Sequence, residues 1–233
     1  MPKPVCAILG VGPGNGTAIA RRFDAGGYAL ALCARRGPEM ETAAGAFQTA
    51  RGYACDVTDA ASVAAAAAAI RDDLGPVDTL VYNAGSGRWG NLDQLGPDDL
   101  RTCLEVNAIG LFTAAKAFLP DMRRAGRGAI VVIGAGAALR GRPGTIAFAA
   151  GKAAQRSVAQ SLARQLGPEN IHVAYVVLDG LVDLAATRAR MADKPTGFFL
   201  AATGVAEAAY MLATQDRQAW TFELDLRPFG ETW

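Results

Sequence analysis

The sequence predicts an α/β fold in which one doubly wound parallel sheet of about seven strands forms a single domain, residues 1–233. Short apolar, strand-like runs alternate with helical stretches from end to end. A length of 233 residues suits one domain, and no internal repeat or Pro/Ser-rich linker divides the chain. Continuous apolar runs such as residues 129–133 indicate a sheet covered on both faces, and right-handed crossovers then make the strands parallel.

Each element is placed by its apolar pattern and by the turn residues that flank it. The strands are predicted near residues 4–9, 28–34, 51–55, 77–82, 128–134, 171–178 and 219–225. The helices are predicted near residues 15–25, 38–48, 58–74, 97–124, 144–166 and 204–214. The clearest start signal is Pro97, which is followed by Asp98 and Asp99 in the first helical turn.

The composition excludes several classes of partner. Hydrophobic residues make up 51% of the chain and the formal net charge is +1, so nothing favours binding to nucleic acid or to an acidic membrane. The four cysteines lack metal-ligand or C-x-x-C spacing, which predicts reduced core residues and no metal site. No secretory signal and no apolar run of 18 residues is present. We therefore expect a cytoplasmic protein that acts on a small molecule.

A glycine-rich turn follows the first strand. Gly10, Gly12, Gly14 and Gly16, with Asn15 between the last two, lead from that strand into a helix that begins near residue 17. Glycines let the backbone turn sharply and approach a pyrophosphate, and the helix N-terminus supplies amide donors. The turn predicts dinucleotide binding, although a tight turn that binds nothing has the same pattern.

The end of the second strand favours NADP over NAD. NAD-binding folds usually place a carboxylate there to bind the ribose 2′-hydroxyl, whereas this chain has Ala34 followed by Arg35 and Arg36. Two guanidinium groups suit a 2′-phosphate. NAD stays possible, because the arginines could instead be solvated surface residues.

Further motifs continue the pattern along the chain. Asp56 and Val57 follow the third strand, Asn83-Ala84-Gly85 follows the fourth, Asn107 lies in the middle of the 97–124 helix, and Lys152 lies in the 144–166 helix. In order and spacing these segments resemble the short-chain dehydrogenase/reductase family, which has a Rossmann-type fold. The resemblance implies that Asp56 and Val57 bind the adenine, that residues 83–85 line the ribose, and that Asn107 and Lys152 belong to the catalytic set.

The same resemblance shows what is missing. The family carries a serine after the fifth strand and, about 13 residues later, Tyr-x-x-x-Lys; the matching positions are Ala135, Phe148 and Lys152. Residues i and i+4 of a helix share a face, so both would reach one cleft. A phenol exchanges a proton and a phenyl ring does not. Since acid/base help is worth roughly 10²–10⁴-fold, ordinary ketone reduction should be badly impaired.

Two further segments bear on the substrate side. Asp179 replaces part of the family's Pro-Gly after the sixth strand and is a candidate proton donor or substrate anchor, with an N-cap as the alternative. Residues 181–203 occupy the position of the family's substrate-covering segment. The resemblance also implies a homodimer or homotetramer.

Three functions stay open at this point. The chain could be an NADP(H)-dependent oxidoreductase whose substrate, such as an imine or an activated C=C bond, needs little proton management. It could be a degenerate NADP(H)-binding sensor or scaffold. It could also reduce ordinary carbonyls with a substitute donor such as Asp179.

Overall fold

The computed structural model describes residues 2–230; residue 1 and residues 231–233 of the predicted domain lie outside the described residues. The strands are β1 Val5–Leu9, β2 Ala29–Ala34, β3 Ala50–Ala54, β4 Val77–Tyr82, β5 Gly128–Ile133, β6 Ile171–Leu178, β7 Leu181–Val182, β8 Phe199–Leu200 and β9 Glu223–Leu226. The helices are α1 Asn15–Ala25, α2 Gly37–Ala44, α3 Ala60–Leu74, α4 Pro97–Leu104, α5 Gly110–Ala125, α6 Ile146–Leu166, α7 Ala185–Arg190 and α8 Ala202–Ala213.

Seven strands form one sheet in the order β3-β2-β1-β4-β5-β6-β9, and every neighbouring pair is parallel. This confirms the predicted fold class. The strand order reverses between β1 and β4, and ligands of such sheets bind in the crevice at the carboxyl ends of the strands beside that point. The motifs that follow β1, β2, β3 and β4 therefore meet along one edge.

Helices cover both faces of the sheet, and each face has its own core. Tyr82 and Phe118 are fully buried on the face covered by α3, α5 and α6. Phe23 and Leu32 are fully buried on the face covered by α1, α2 and α8. The four cysteines are free and buried, as predicted. Burial on both sides explains why the strands are apolar without alternation.

The predicted continuous helix over 97–124 is wrong in one respect. Between α4 and α5 the chain makes a π-helical turn, Glu105–Ile109, in which the Gly110 N–H bonds to the Glu105 carbonyl five residues earlier. The wider turn leaves the Val106 carbonyl to accept a hydrogen bond from the Tyr82 hydroxyl on β4. A tertiary contact to β4 therefore accompanies the π turn, which local propensity does not predict.

The stretch Pro97–Ala125 is long and apolar enough to cross a membrane by length and composition alone. In the structure Leu111, Phe118 and Met122 of this stretch are fully buried against the sheet. A core helix of a globular domain passes the same test, and this packing is that of a core helix.

Candidate functional site

The glycine-rich turn after β1 needs glycine for steric reasons. Gly10 has φ +90°, and a Cβ there would lie 2.5 Å from the Ala84 Cα. A Cβ on Gly16 would lie 2.8 Å from the Val11 Cα. Gly12 differs, because its Cβ would meet nothing within 4 Å. The turn is thus packed closely on its protein side and open on the other, which fits a bound pyrophosphate.

Helix α1 begins directly after this turn. Among the described residues, no side chain caps its N-terminus, and the buried Asn15 Oδ1 has no hydrogen-bond partner. Backbone N–H groups at an uncapped helix start carry the positive end of the helix dipole. The predicted residues Gly10, Gly12, Gly14, Asn15 and Gly16 therefore form one cradle at the sheet edge, of which Gly10 and Gly12 line the cleft.

The residues after β2 and β3 lie farther along the same cleft. Arg35 and Arg36 line it, and Arg36 also contacts Glu39 at 3.1 Å. Asp56 accepts hydrogen bonds from the Thr58 N–H at 3.0 Å and the Thr58 hydroxyl at 2.8 Å. These bonds, with a smaller contribution from Arg35, lower the pKa of the Asp56 carboxyl. Asp56 is therefore an ionised acceptor, as the adenine amino group would need.

The segment after β4 closes the cleft from the other side. Asn83 donates through Nδ2 to the Gly10 carbonyl at 2.7 Å, and its N–H donates to the Leu9 carbonyl at 2.9 Å. These bonds fix the ends of β1 and β4 to each other. The resulting cleft has a volume of about 1160 Å³. Its lining includes the predicted residues Gly10, Gly12, Arg35, Arg36, Asp56, Val57, Asn83, Ala84 and Gly85.

Lys152 is buried at the inner end of this site. The residue belongs to α6. Its Nζ donates to the Ile133 carbonyl at 3.1 Å and to the Gln155 Oε1 at 3.0 Å. The residue is 5% exposed. Burial lowers the pKa of the amine to about 8, because desolvation penalises the charged form. Lys152 can therefore gain and lose a proton close to neutral pH.

Asn107 lies in the π turn and faces Lys152 across Gly85. Its Nδ2 donates to the Ser86 carbonyl at 2.9 Å and to the Cys103 carbonyl at 2.8 Å, while its buried Oδ1 has no partner among the described residues. The position of a Cβ on Gly85 would be 3.5 Å from Asn107 Oδ1 and 3.6 Å from Lys152 Nζ. The structure thus brings together the predicted residues Asn107, Lys152 and Gly85.

Phe148 precedes Lys152 by one helical turn of α6 and is partly exposed. Its ring centroid is 4.7 Å from that of Trp89, at an interplanar angle of 37°. Ala135, at the end of β5, is half-buried with extended backbone angles. Sequence reasoning did not find Trp89, because a single aromatic residue in a loop carries no periodic signal.

Asp179 is held by two arginines. Its oxygens accept from the Arg140 guanidinium at 2.6 and 2.8 Å and lie 2.6 Å from an Arg227 nitrogen. The carboxylate is 9% exposed and is packed against Gly136, where a Cβ would overlap it. The next element is the strand β7, so Asp179 caps no helix there. These ion pairs connect the segments after β5, β6 and β9 at the carboxyl ends of the strands.

The segment 181–203 lies over the glycine-rich turn. It contains β7, α7 and β8, and Asp183 and Arg188 form an ion pair at 2.6 and 2.8 Å within it. A Cβ on Gly14 would overlap the Leu184 side chain. The predicted covering segment therefore contacts the cradle through Leu184, which sequence reasoning did not single out.

The sequence of the chain matches those of known proteins. The family model for short chain dehydrogenases matches residues 4–195. The chain belongs to the short-chain dehydrogenase family. It is 33% identical over 186 residues to human 17-beta-hydroxysteroid dehydrogenase type 1, covering 76% of this chain but only 56% of the human one. It is 34% identical over 213 residues to "Inactive 2-(S)-hydroxypropyl-CoM dehydrogenase 2" of Xanthobacter autotrophicus, covering 84% of this chain and 92% of that one.

A solved structure of the family shows the same fold over the whole chain. The alcohol dehydrogenase of the archaeon Thermococcus sibiricus, complexed with 5-hydroxy-NADP, superposes with a TM-score of 0.88. The two sequences are 26% identical, and the match covers 99% of this chain and 98% of that one. The seven-stranded parallel sheet and its flanking helices are thus those of a short-chain dehydrogenase.

Proposed function

We propose that this short-chain dehydrogenase is an NADP(H)-dependent oxidoreductase that transfers a hydride to or from a small apolar substrate without the usual tyrosine acid. The observation that carries the proposal is the continuity of the site. One cleft runs from the arginines after β2, past the glycine cradle, to Ser86, whose carbonyl binds Asn107. Asn107 and Lys152 meet beside Gly85, and the phenyl ring of Phe148 lies one helical turn from Lys152.

The residues present fit NADP(H). The open face of Gly12 and the uncapped start of α1 would hold the pyrophosphate, and Arg35 and Arg36 would hold the 2′-phosphate. When bound, the nicotinamide supplies or accepts the hydride. The complex of the archaeal relative with 5-hydroxy-NADP supports this assignment.

Three side chains are assigned roles at the reacting end. Lys152, with its pKa lowered to about 8 by burial, would hold the nicotinamide ribose and place a protonable amine near the reacting atoms. Asn107 would fix the loop at Ser86 and offer its Oδ1 as an acceptor. For Asp179, we keep the predicted role of anchor, because the ion pairs with Arg140 and Arg227 hold its carboxylate in one position.

Cofactor binding and turnover can be tested separately. Calorimetry with NADPH and with NADH measures binding, and NADPH oxidation is then followed over a panel of ketones, imines and conjugated carbonyl compounds. We expect NADPH to bind more tightly than NADH and at least one acceptor class to be reduced. If neither dinucleotide binds to folded protein, the proposal is wrong.

A second candidate is a degenerate NADP(H)-binding sensor or scaffold. The absence of a hydroxyl at both Ala135 and Phe148 favours it, and one relative at 34% identity is named as inactive. Tight NADPH binding without hydride transfer to any member of the panel would support this candidate and contradict the first.

The expected assembly is a homodimer or homotetramer of this single domain, located in the cytoplasm. The support for assembly is an apolar patch on α5 and the turn before it, where Ile109 is 48% exposed and Phe112 is 54% exposed. Large apolar side chains exposed together are typical of a protein contact. The formal net charge of +1 favours neither a nucleic-acid nor an acidic-membrane partner.

A further inference from the structure

The loop after β4 holds an indole ring against the catalytic helix. The Gly90 N–H donates to the Gly144 carbonyl at 2.8 Å, and Gly90 bridges Thr145 just before α6 begins. This link brings Trp89 to Phe148, with ring centroids 4.7 Å apart. Gly87 leaves the necessary space, because a Cβ there would lie 2.9 Å from the Trp89 Nε1 and 3.5 Å from Phe148 Cδ2.

The two rings form an aromatic surface that a ligand can reach. Trp89 is 55% exposed, and Phe148 is partly exposed at the position one turn before Lys152. Planar conjugated molecules stack on such rings, in offset or tilted arrangements. An aliphatic ketone would gain less from this surface, since it has no π-system.

The charges near the rings favour a neutral acceptor over a cation. Asp99 is 3.7 Å from Arg88, the residue next to Trp89, and Asp179 is already paired with Arg140 and Arg227. Both of these carboxylates are therefore engaged by arginines. An iminium ion could stack on the two rings, but neither Asp99 nor Asp179 would be free to serve as its counter-ion, because each is already paired with an arginine.

The chemistry of the product points the same way. Hydride addition to a simple ketone leaves a strongly basic alkoxide, because an alcohol is about as weak an acid as water. Hydride addition to a carbonyl oxygen of a quinone leaves a phenolate-type oxyanion, whose conjugate acid has a pKa near 10, like the tyrosine phenol. Such an anion is about a millionfold less basic than the alkoxide, so it does not need a neighbouring phenol to protonate it during the reaction.

We propose that Trp89 and Phe148 form a stacking platform that selects a neutral, planar, conjugated carbonyl acceptor of the quinone type. The inference rests on the proposed hydride-transfer function. The acceptor gains a hydride from the reduced dinucleotide, which is thereby oxidised. The hydride bonds to one carbonyl oxygen, and both carbonyl π bonds break as the ring becomes aromatic and the second oxygen takes the negative charge. The resulting hydroquinone monoanion then takes a proton from water.

Steady-state kinetics with NADPH test the selectivity. The acceptors are 1,4-naphthoquinone, cyclohexanone and a dihydroisoquinolinium ion, each corrected for its uncatalysed rate. We expect the highest kcat/KM for naphthoquinone. Trp89→Leu should lower that value about three- to tenfold and lower the value for cyclohexanone less, whereas Trp89→Tyr should restore the value for naphthoquinone. Leu92→Ala is the matched control, because Leu92 is 79% exposed in the same loop.

Binding of naphthoquinone without a dinucleotide gives a second readout. Calorimetry should show a Kd that rises about three- to tenfold in Trp89→Leu and in Phe148→Leu but not in Leu92→Ala, with circular dichroism confirming the fold. Equal values for all proteins would overturn the platform, as would a preference for cyclohexanone or for the cation. Naphthoquinone binding that depends on Trp89, in a protein that turns over no acceptor, would contradict the proposed function and uphold the platform.

Discussion

The buried amine of Lys152 should make the stability of the protein depend on alkaline pH. Burial lowers its pKa from the ordinary 10.5 to about 8 in the folded chain, whereas the unfolded chain keeps the ordinary value. Between these two pH values the unfolded chain binds a proton that the folded chain has released. The free energy of unfolding therefore rises with pH across this window.

The magnitude follows from the difference of about 2.5 pKa units between 10.5 and about 8. At 1.36 kcal/mol per unit, the buried amine costs about 3 kcal/mol below pH 8, and this cost disappears as the pH approaches 10.5. Because Lys152 is only 5% exposed, solvent screening reduces the effect little. Replacing it by methionine removes the titration and keeps a chain of similar length.

Urea unfolding of the dinucleotide-free protein measures the effect, at pH 7, 8, 9 and 10. Wild type should gain about 1.4 kcal/mol per pH unit relative to Lys152→Met above pH 8. Burial raises the pKa of Cys6 and Cys33, which lowers stability at high pH, but this contribution cancels in the difference. Lys116→Met, at an exposed site, controls for the loss of a lysine. A constant difference from pH 7 to 10 would refute the reasoning.

Four further changes test other parts of the site. Arg35→Ala should weaken NADPH binding about 10- to 100-fold, the value of charge-assisted hydrogen bonds, and leave NADH nearly unchanged; equal losses in calorimetry would contradict the 2′-phosphate assignment. The pair Phe148→Tyr and Ala135→Ser should raise cyclohexanone reduction by about 10² or more, and unchanged NADPH oxidation would show that the hydroxyls are not what is missing. Gly10→Ala, at φ +90° and 2.5 Å from Ala84, should abolish NADPH binding or lower the melting temperature, and a variant unaffected in both would contradict the close packing. Phe112→Asp should shift the molar mass in light scattering towards the monomer, and an unshifted mass would place any interface elsewhere.

The sheet could be predicted from the sequence because its signals are local. The predicted strand near 171–178 is β6 Ile171–Leu178, and the one near 77–82 is β4 Val77–Tyr82. The last strand was placed near 219–225 but runs over Glu223–Leu226. Ala219, Trp220 and Phe222 are apolar but precede the first paired residue of the strand, so hydrophobicity alone placed the boundary too early.

The parts of the site that could be predicted are those whose residues follow one another along the chain. The glycine turn, Arg35 and the pair of Asn107 with Lys152 have fixed spacings within a known pattern. The aromatic platform and the ion pairs of Asp179 could not be predicted. Trp89 contacts Phe148, which lies 59 positions away in the sequence, and Arg140 contacts Asp179, which lies 39 positions away. Contacts of that range are set by the whole fold and leave no trace in a local pattern.

The π turn at Glu105–Ile109 inserts one extra residue between two regular helices, and a residue of an α-helix turns the chain by about 100°. The surface of α5 that carries Phe112 is therefore offset from the surface of α4 by that angle. Deleting a single residue within 105–109 would restore an unbroken helix and rotate one of these surfaces relative to the other. The amide of Asn107 and the exposed side chain of Phe112 would then change their relative direction. An irregularity of one residue thus links the geometry of the proposed site to that of the proposed subunit contact.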